Sequence, residues 1–169
     1  MSLDPNLKPY ELLAIAIRSE IDAGDLYRNL SGRIKNEVLK QKLNFLSREE
    51  DRHKGILERM FGDRFPDRKP EVPLRPNIPL KSVPVEEEMS VVDLFRLAMK
   101  KERQAEEFYK DSKIRMEDAE SRRILDYLRR AERSHYFMLK SEVDLIERFP
   151  DYYNVEDFHV AQDLFHIGP

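Results

Sequence analysis

Residues 48–53 read REEDRH, and the Glu50-x-x-His53 pair within them decides how the whole chain is read. Around the pair, Leu39, Leu43, Leu46, Leu57 and Met60 recur at steps of three and four, the spacing of one buried helix face. Glu50 and His53 fall on that same face. An unpaired charge in a protein interior costs on the order of several kcal/mol. A carboxylate and an imidazole among leucines must therefore be met by something else in the interior.

The same pattern extends outward from this stretch. Six of the 10 prolines lie between Phe61 and Ser90, so that segment reads as an extended connector. The flanking stretches predict four helices, at Pro9–Arg33, Glu37–Phe61, Val91–Glu117 and Ala119–Arg148. Pro9 suits a first helical turn, Asn36 and Asp118 are placed to cap, and Ser90 with Asp93 resembles a capping box. The stripe of the first helix runs Leu12, Ala16, Glu20, Ala23, Tyr27, Leu30, Ile34. That of the third runs Leu94, Ala98, Glu102, Ala105, Tyr109, Ser112, Met116, and that of the fourth Leu125, Leu128, Glu132, His135, Leu139.

These stripes repeat with a period of 82 residues. Glu20 matches Glu102, Tyr27 matches Tyr109, Glu50 matches Glu132 and His53 matches His135, and six apolar positions recur identically. One helical hairpin is present twice. Within the first hairpin, Glu20 and Glu50 lie about 24 Å and about 21 Å from the turn at Asn36, at 1.5 Å rise per residue. They therefore sit at nearly the same height in an antiparallel pair, and so do Glu102 and Glu132. Two such hairpins packed together make an all-α four-helix bundle, whose proline-rich crossover spans the bundle length. The expected organisation is a bundle over 1–148, with hairpin 9–61, crossover 62–90 and hairpin 91–148. The Phe- and Tyr-rich tail 149–169 then packs back on the bundle or on a partner subunit.

Composition narrows the chemistry. The 169 residues are 40% hydrophobic and 37% charged, with net charge −3 and the two signs interspersed, which offers no basic stripe for nucleic acid. No apolar run reaches membrane-spanning length and the N-terminus lacks a signal design, so the expected location is the cytoplasm. There is no cysteine, which rules out disulfides, thiolate-held metals and thiol catalysis by these residues.

Four Glu and two neutral His at one level carry a charge of about −4, which an apolar interior cannot hold alone. Two divalent cations would neutralise it, and this ligand set suits iron, with manganese or a mixed pair as alternatives. The candidate metal ligands are Glu20, Glu50, His53, Glu102, Glu132 and His135. Glu-x-x-His places both groups one turn apart on one face, as a single metal requires. Tyr27 and Tyr109, two turns along from Glu20 and Glu102, are candidates to hydrogen-bond and orient ligand carboxylates. A third Glu-x-x-His, Glu156 to His159, follows the Phe149-Pro150 break and has no repeat-mate; it reads as background, as does His166. Glu49, Asp51, Arg52, Arg133 and the Glu86–Glu88 run read as solvated, and Glu106 and Glu107 as exposed positions off the Glu102 stripe.

As a set, these motifs resemble the ferritin-like di-iron carboxylate superfamily, and the Glu-to-Tyr spacing is most similar to rubrerythrin. The resemblance covers about residues 9–148. It implies that Glu50 and Glu132 bridge two irons, that Glu20 and Glu102 are terminal ligands, and that His53 and His135 serve one metal each. It implies peroxide reduction with electrons from a separate electron-transfer protein, because the cysteines of a rubredoxin domain are not in this sequence. A homodimer is implied as well. The extra Glu that rubrerythrins carry one turn after the terminal Glu of the third helix is here Ala105, so the site also resembles the more symmetric ferroxidase centre of bacterioferritin. The expected function is accordingly non-haem di-iron reduction of hydrogen peroxide, or of dioxygen. The alternatives are ferroxidase or iron-binding activity, a dimanganese catalase-like activity, and a metal-free helical scaffold whose polar layer sets register.

Overall fold

The structure is a computed structural model that describes residues 4–74 and 89–153. Its elements are four helices, α1 (Pro9–Arg33), α2 (Glu37–Arg64), α3 (Val91–Ile114) and α4 (Ala119–Arg148), with no strand among the described residues. Each helix start has a chemical cause. Pro9 sits in the first turn of α1, and the Glu11 carboxylate accepts from the Lys8 N–H at 2.8 Å. The side chains of Asn36, Ser90 and Asp118 accept from the backbone N–H groups of Leu39, Asp93 and Ser121. Ser90 forms only half of the expected box, since its hydroxyl itself donates to the Asp93 carboxylate.

Two helix ends differ from the sequence reading. α2 continues one turn past Phe61 to Arg64 and stops at Phe65, the residue that Pro66 disfavours in helical conformation. α3 ends at Ile114 rather than Glu117, because Arg115 and Met116 close the last turn with shorter bonds to Ser112 and Lys113.

α1 packs along α2, and α3 along α4. The two hairpins then meet through α1 against α3 and α2 against α4, leaving α1/α4 and α2/α3 on the diagonals. Cross-bundle bonds from Tyr27 to Glu102 and from Tyr109 to Glu20 show that α1 and α3 run antiparallel. All four neighbouring pairs are thus antiparallel, the ferritin-like arrangement. The proline-rich connector joins α2 to α3, which run parallel but face each other across the diagonal rather than as neighbours. No described helix is long and apolar enough to cross a membrane.

The core is split in two. One apolar cluster gathers Leu12, Leu13, Ile17, Leu57, Phe61, Phe108 and Leu125. The other gathers Leu30, Leu39, Leu43, Leu46, Phe95 and Leu139 at the opposite end of the bundle. The polar residues of the stripes lie between them. Of the tail, Tyr153 packs on the second cluster, accepts from the Asn36 amide at 3.1 Å and donates to Glu142. The Glu86–Glu88 run, Glu156, His159 and His166 lie outside the described residues.

Glu106 is interior, contrary to the exposed position expected from its place off the Glu102 stripe. It is 7% exposed, not a surface residue, and it pairs with Arg103 at 3.1 Å and with Arg129 of α4 at 3.7 Å. The repeat explains its position. The matching residues of the first hairpin are Gly24 and Ser47, where the serine hydroxyl donates to the glycine carbonyl. The second hairpin fills the same interhelix slot with a carboxylate and a guanidinium.

Leu43 and Leu57 are fully buried, one in each cluster. Truncating either to Ala should lower the unfolding free energy by about 2–5 kcal/mol. They are about 21 Å apart along α2, so the double variant should lose the sum within about 0.5 kcal/mol in urea unfolding. Strong non-additivity would show one continuous core instead.

Candidate metal centre

The six polar stripe residues converge between the two apolar clusters. Glu20, Glu50, His53, Glu102, Glu132 and His135 are all 0–4% exposed, so bulk water cannot solvate their charge. Each helix contributes at the same height: α1 gives Glu20, α2 Glu50 and His53, α3 Glu102, and α4 Glu132 and His135.

Their geometry divides the cluster into two overlapping halves. His53 Nδ1 lies 3.1 Å from Glu50 Oε2, 3.2 Å from Glu132 Oε1 and 3.4 Å from Glu20 Oε2. His135 Nδ1 lies 3.1 Å from Glu50 Oε1, 3.6 Å from Glu102 Oε2 and 4.0 Å from Glu132 Oε2. Glu50 and Glu132 each turn one oxygen to either histidine, whereas Glu20 attends only His53 and Glu102 only His135. Two four-residue groups result, each able to gather one atom per residue within 4.8 Å: Glu20, Glu50, His53, Glu132 and Glu50, Glu102, Glu132, His135.

These contacts are short but largely do not form hydrogen bonds. Glu20 Oε2, Glu50 Oε1, Glu102 Oε2, Glu132 Oε1 and His135 Nδ1 are buried without a hydrogen-bond partner. Glu50 Oε1 and His135 Nδ1 approach to 3.1 Å and still satisfy neither atom, as happens when lone pairs point at a shared space rather than at each other. Buried polar atoms are nearly always paired in folded proteins. A cluster of acceptors facing inward fits a pair of cations, and the donor set of carboxylate and imidazole suits iron or manganese.

Without a cation, protons must carry the compensation. Burial pushes Glu20 up to about 8, with His53 opposing and the Glu50 charge adding. Burial and the charges of Glu50, Glu20 and Glu102 hold Glu132 well above the carboxylate range. For the histidines burial acts downward but is outweighed. Glu132, Glu20 and Glu50 keep His53 far above its usual value, and Glu102 and Glu50 bring His135 to about 10. Glu50 goes the other way: burial would raise it, yet His135 and His53 bring it to about 2.

The two tyrosines do what stripe position alone could not specify. Tyr27 donates to Glu102 and Tyr109 to Glu20, each reaching across to the other hairpin. Both are fully buried, and burial together with the adjacent carboxylate keeps the phenols protonated, hence donors. Each holds one oxygen of an outer carboxylate and leaves the other facing inward.

The rubrerythrin family's sequence profile matches residues 11–143. The chain belongs to the rubrerythrin family. That family is one of di-iron carboxylate proteins, and the buried carboxylate and imidazole groups here are close enough together that they could hold a metal ion. A hypothetical protein from Pyrococcus furiosus of solved structure is 34% identical, with a TM-score of 0.74 over 85% of this chain and 92% of its own. No curated protein matches the chain.

Two neighbours of the rubrerythrin-type cluster were not legible as such. Tyr127 of α4 stands edge-on to His53 with ring centroids 6.2 Å apart, while 53% exposed. Glu49 is not fully solvated: its side chain is 18% exposed and its carboxylate lies beside both histidines. In sequence it falls one residue off the stripe, and only the length of a glutamate brings it back.

Tyr27→Phe and Tyr109→Phe each strand a buried carboxylate oxygen. Each should cost about 1–3 kcal/mol in the metal-free protein, by similar amounts because the positions are repeat-mates. Denaturant unfolding of the two variants checks this; a loss at one tyrosine only would show that the halves are not equivalent.

Proposed function

We propose that this protein is a non-haem di-iron oxidoreductase that reduces hydrogen peroxide, drawing electrons from a separate electron-transfer protein. One observation carries the reading: Glu50 and Glu132 each divide their two oxygens between the His53 side and the His135 side. A carboxylate so placed can serve two metals at once. Glu20 with His53, and Glu102 with His135, would then hold one metal each, with Tyr27 and Tyr109 orienting the outer carboxylates.

Reduction of peroxide to two waters breaks the O–O bond and takes up two electrons and two protons. Bound iron would supply the two electrons. The chain's own part is to hold the carboxylates in register, exclude bulk water between two apolar clusters and neutralise charge. The sequence has no cysteine for a thiolate-held relay, so the reading places re-reduction with a partner. It also retains a cytoplasmic homodimer, for which the exposed Phe149 and the half-exposed Tyr152 beyond α4 offer apolar surface.

Ferroxidase activity is a second reading, supported by Ala105. This position on α3 is where rubrerythrins carry an additional carboxylate, and here it is a small residue in the apolar cluster. Glu106 does not replace it, being held by Arg103 and Arg129.

Protein purified without added metal should contain about two iron or manganese ions per chain by elemental analysis. Loading should raise stability by about 2.7 kcal/mol at metal concentrations 100-fold above the dissociation constant. The Glu50→Gln/Glu132→Gln double variant should lose that gain. Peroxide should reoxidise the ferrous protein faster than dioxygen does. The reverse order would favour the ferroxidase reading, and absence of uptake would leave a metal-free scaffold.

A further inference from the structure

Glu49 stands beside the six residues of the cluster without belonging to their stripe. Its carboxylate and one ring nitrogen each of His53 and His135 lie within 4.8 Å of one another. In the structure its partner is Arg52, an exposed residue three positions on, and a surface pair of this kind is weak. The repeat breaks at this place. The residue 82 positions further is Ala131, so only α2 carries a carboxylate there.

The arrangement of the two imidazoles shows why one carboxylate can serve both. Their rings stack, with centroids 5.5 Å apart and 18° between planes, and both turn Nδ1 toward the inner carboxylates. With both Nδ1 atoms among the inner carboxylates, Nε2 is the ring nitrogen that each histidine leaves for a group outside them. His53 Nε2 is buried and has no hydrogen-bond partner. The Tyr127 ring stands edge-on to the same imidazole. An imidazole that gives its Nδ1 lone pair to a metal carries its proton on Nε2, and that N–H needs an acceptor.

We propose that Glu49 is this acceptor, a positioning residue whose carboxylate takes the outer N–H of His53, and of His135 stacked beside it, in place of Arg52. It fixes the tautomer that leaves both Nδ1 atoms free to ligate. The inference rests on His53 and His135 being metal ligands.

The test uses the full chain, stripped of metal and titrated with Co(II) alone. Binding is followed by calorimetry and by visible absorption of the ligated ion. The Zn(II)-loaded protein is examined in parallel by long-range proton–nitrogen NMR of the imidazoles. Glu49→Ala should weaken Co(II) binding by about 10–100-fold and remove the slowly exchanging Nε2–H signals. Glu49→Gln keeps an accepting oxygen without the charge, and should retain those signals at shifted positions with a smaller loss of affinity. Arg52→Ala, which breaks only the surface pair, should leave affinity within about twofold. Thermal midpoints of the metal-free variants separate lost ligation from lost folding. If Glu49→Ala does not fold, the Glu49→Gln result decides. Affinity and imidazole signals unchanged by substitution of Glu49 would overturn the proposal. A wild-type chain that takes up no Co(II) would instead overturn the dinuclear reading, and this inference with it.

Discussion

Four carboxylates held at one height inside a helical bundle repel one another, and nothing apolar around them can relieve that repulsion. The rest of the architecture answers this single electrostatic problem. Two histidines stand among the carboxylates, two tyrosines each take up one oxygen of an outer carboxylate, and the remaining lone pairs face inward. The hydrophobic core is divided above and below, so the layer is insulated from solvent at both ends. Burial strengthens whatever neutralises the layer, and it equally raises the cost of leaving any part of it unmatched.

Much of this was legible in the sequence because the stripes of a helix convert directly into a shared face, and the 82-residue repeat converts into a shared height. Glu20, Glu50, Glu102 and Glu132 come together for reasons that need only a rise per residue and a turn position. Other features could not be read that way. Spacing within a hairpin does not say which hairpin faces which, so Tyr27 reaching Glu102 rather than a residue of its own hairpin required the packing of α1 on α3. Helix angle counts Cα positions and ignores side-chain length and lean. By that measure Glu49 belonged outside, yet its carboxylate returns to the histidines. Glu106 was misplaced for a related reason. It lies off the polar stripe but in the α3–α4 seam, where packing against Arg129 of α4 buries it.

The departures from repeat symmetry are as informative as the symmetry. The two hairpins agree throughout the central layer and at six apolar positions beside it. Some of the differences change seams and edges: Gly24 and Ser47 against Glu106 and Arg129, and Glu49 against Ala131. In the seam of the second hairpin Glu106 pairs with Arg129, whereas in the first the Ser47 hydroxyl donates to the Gly24 carbonyl and accepts from Arg28. The first carries a carboxylate at the outer edge of the imidazoles where the second has a methyl.

The division of Glu50 and Glu132 between the two histidines has one more consequence. Neither hairpin holds a complete group of candidate ligands: the residues around His53 include Glu132 of the other hairpin, and those around His135 include Glu50. Each repeat is thus functionally a half, unable to complete a cluster without its counterpart. A lone ancestral hairpin of this design would have had to work as a pair of identical copies, and fusion of the two would have left each copy free to diverge only away from the centre.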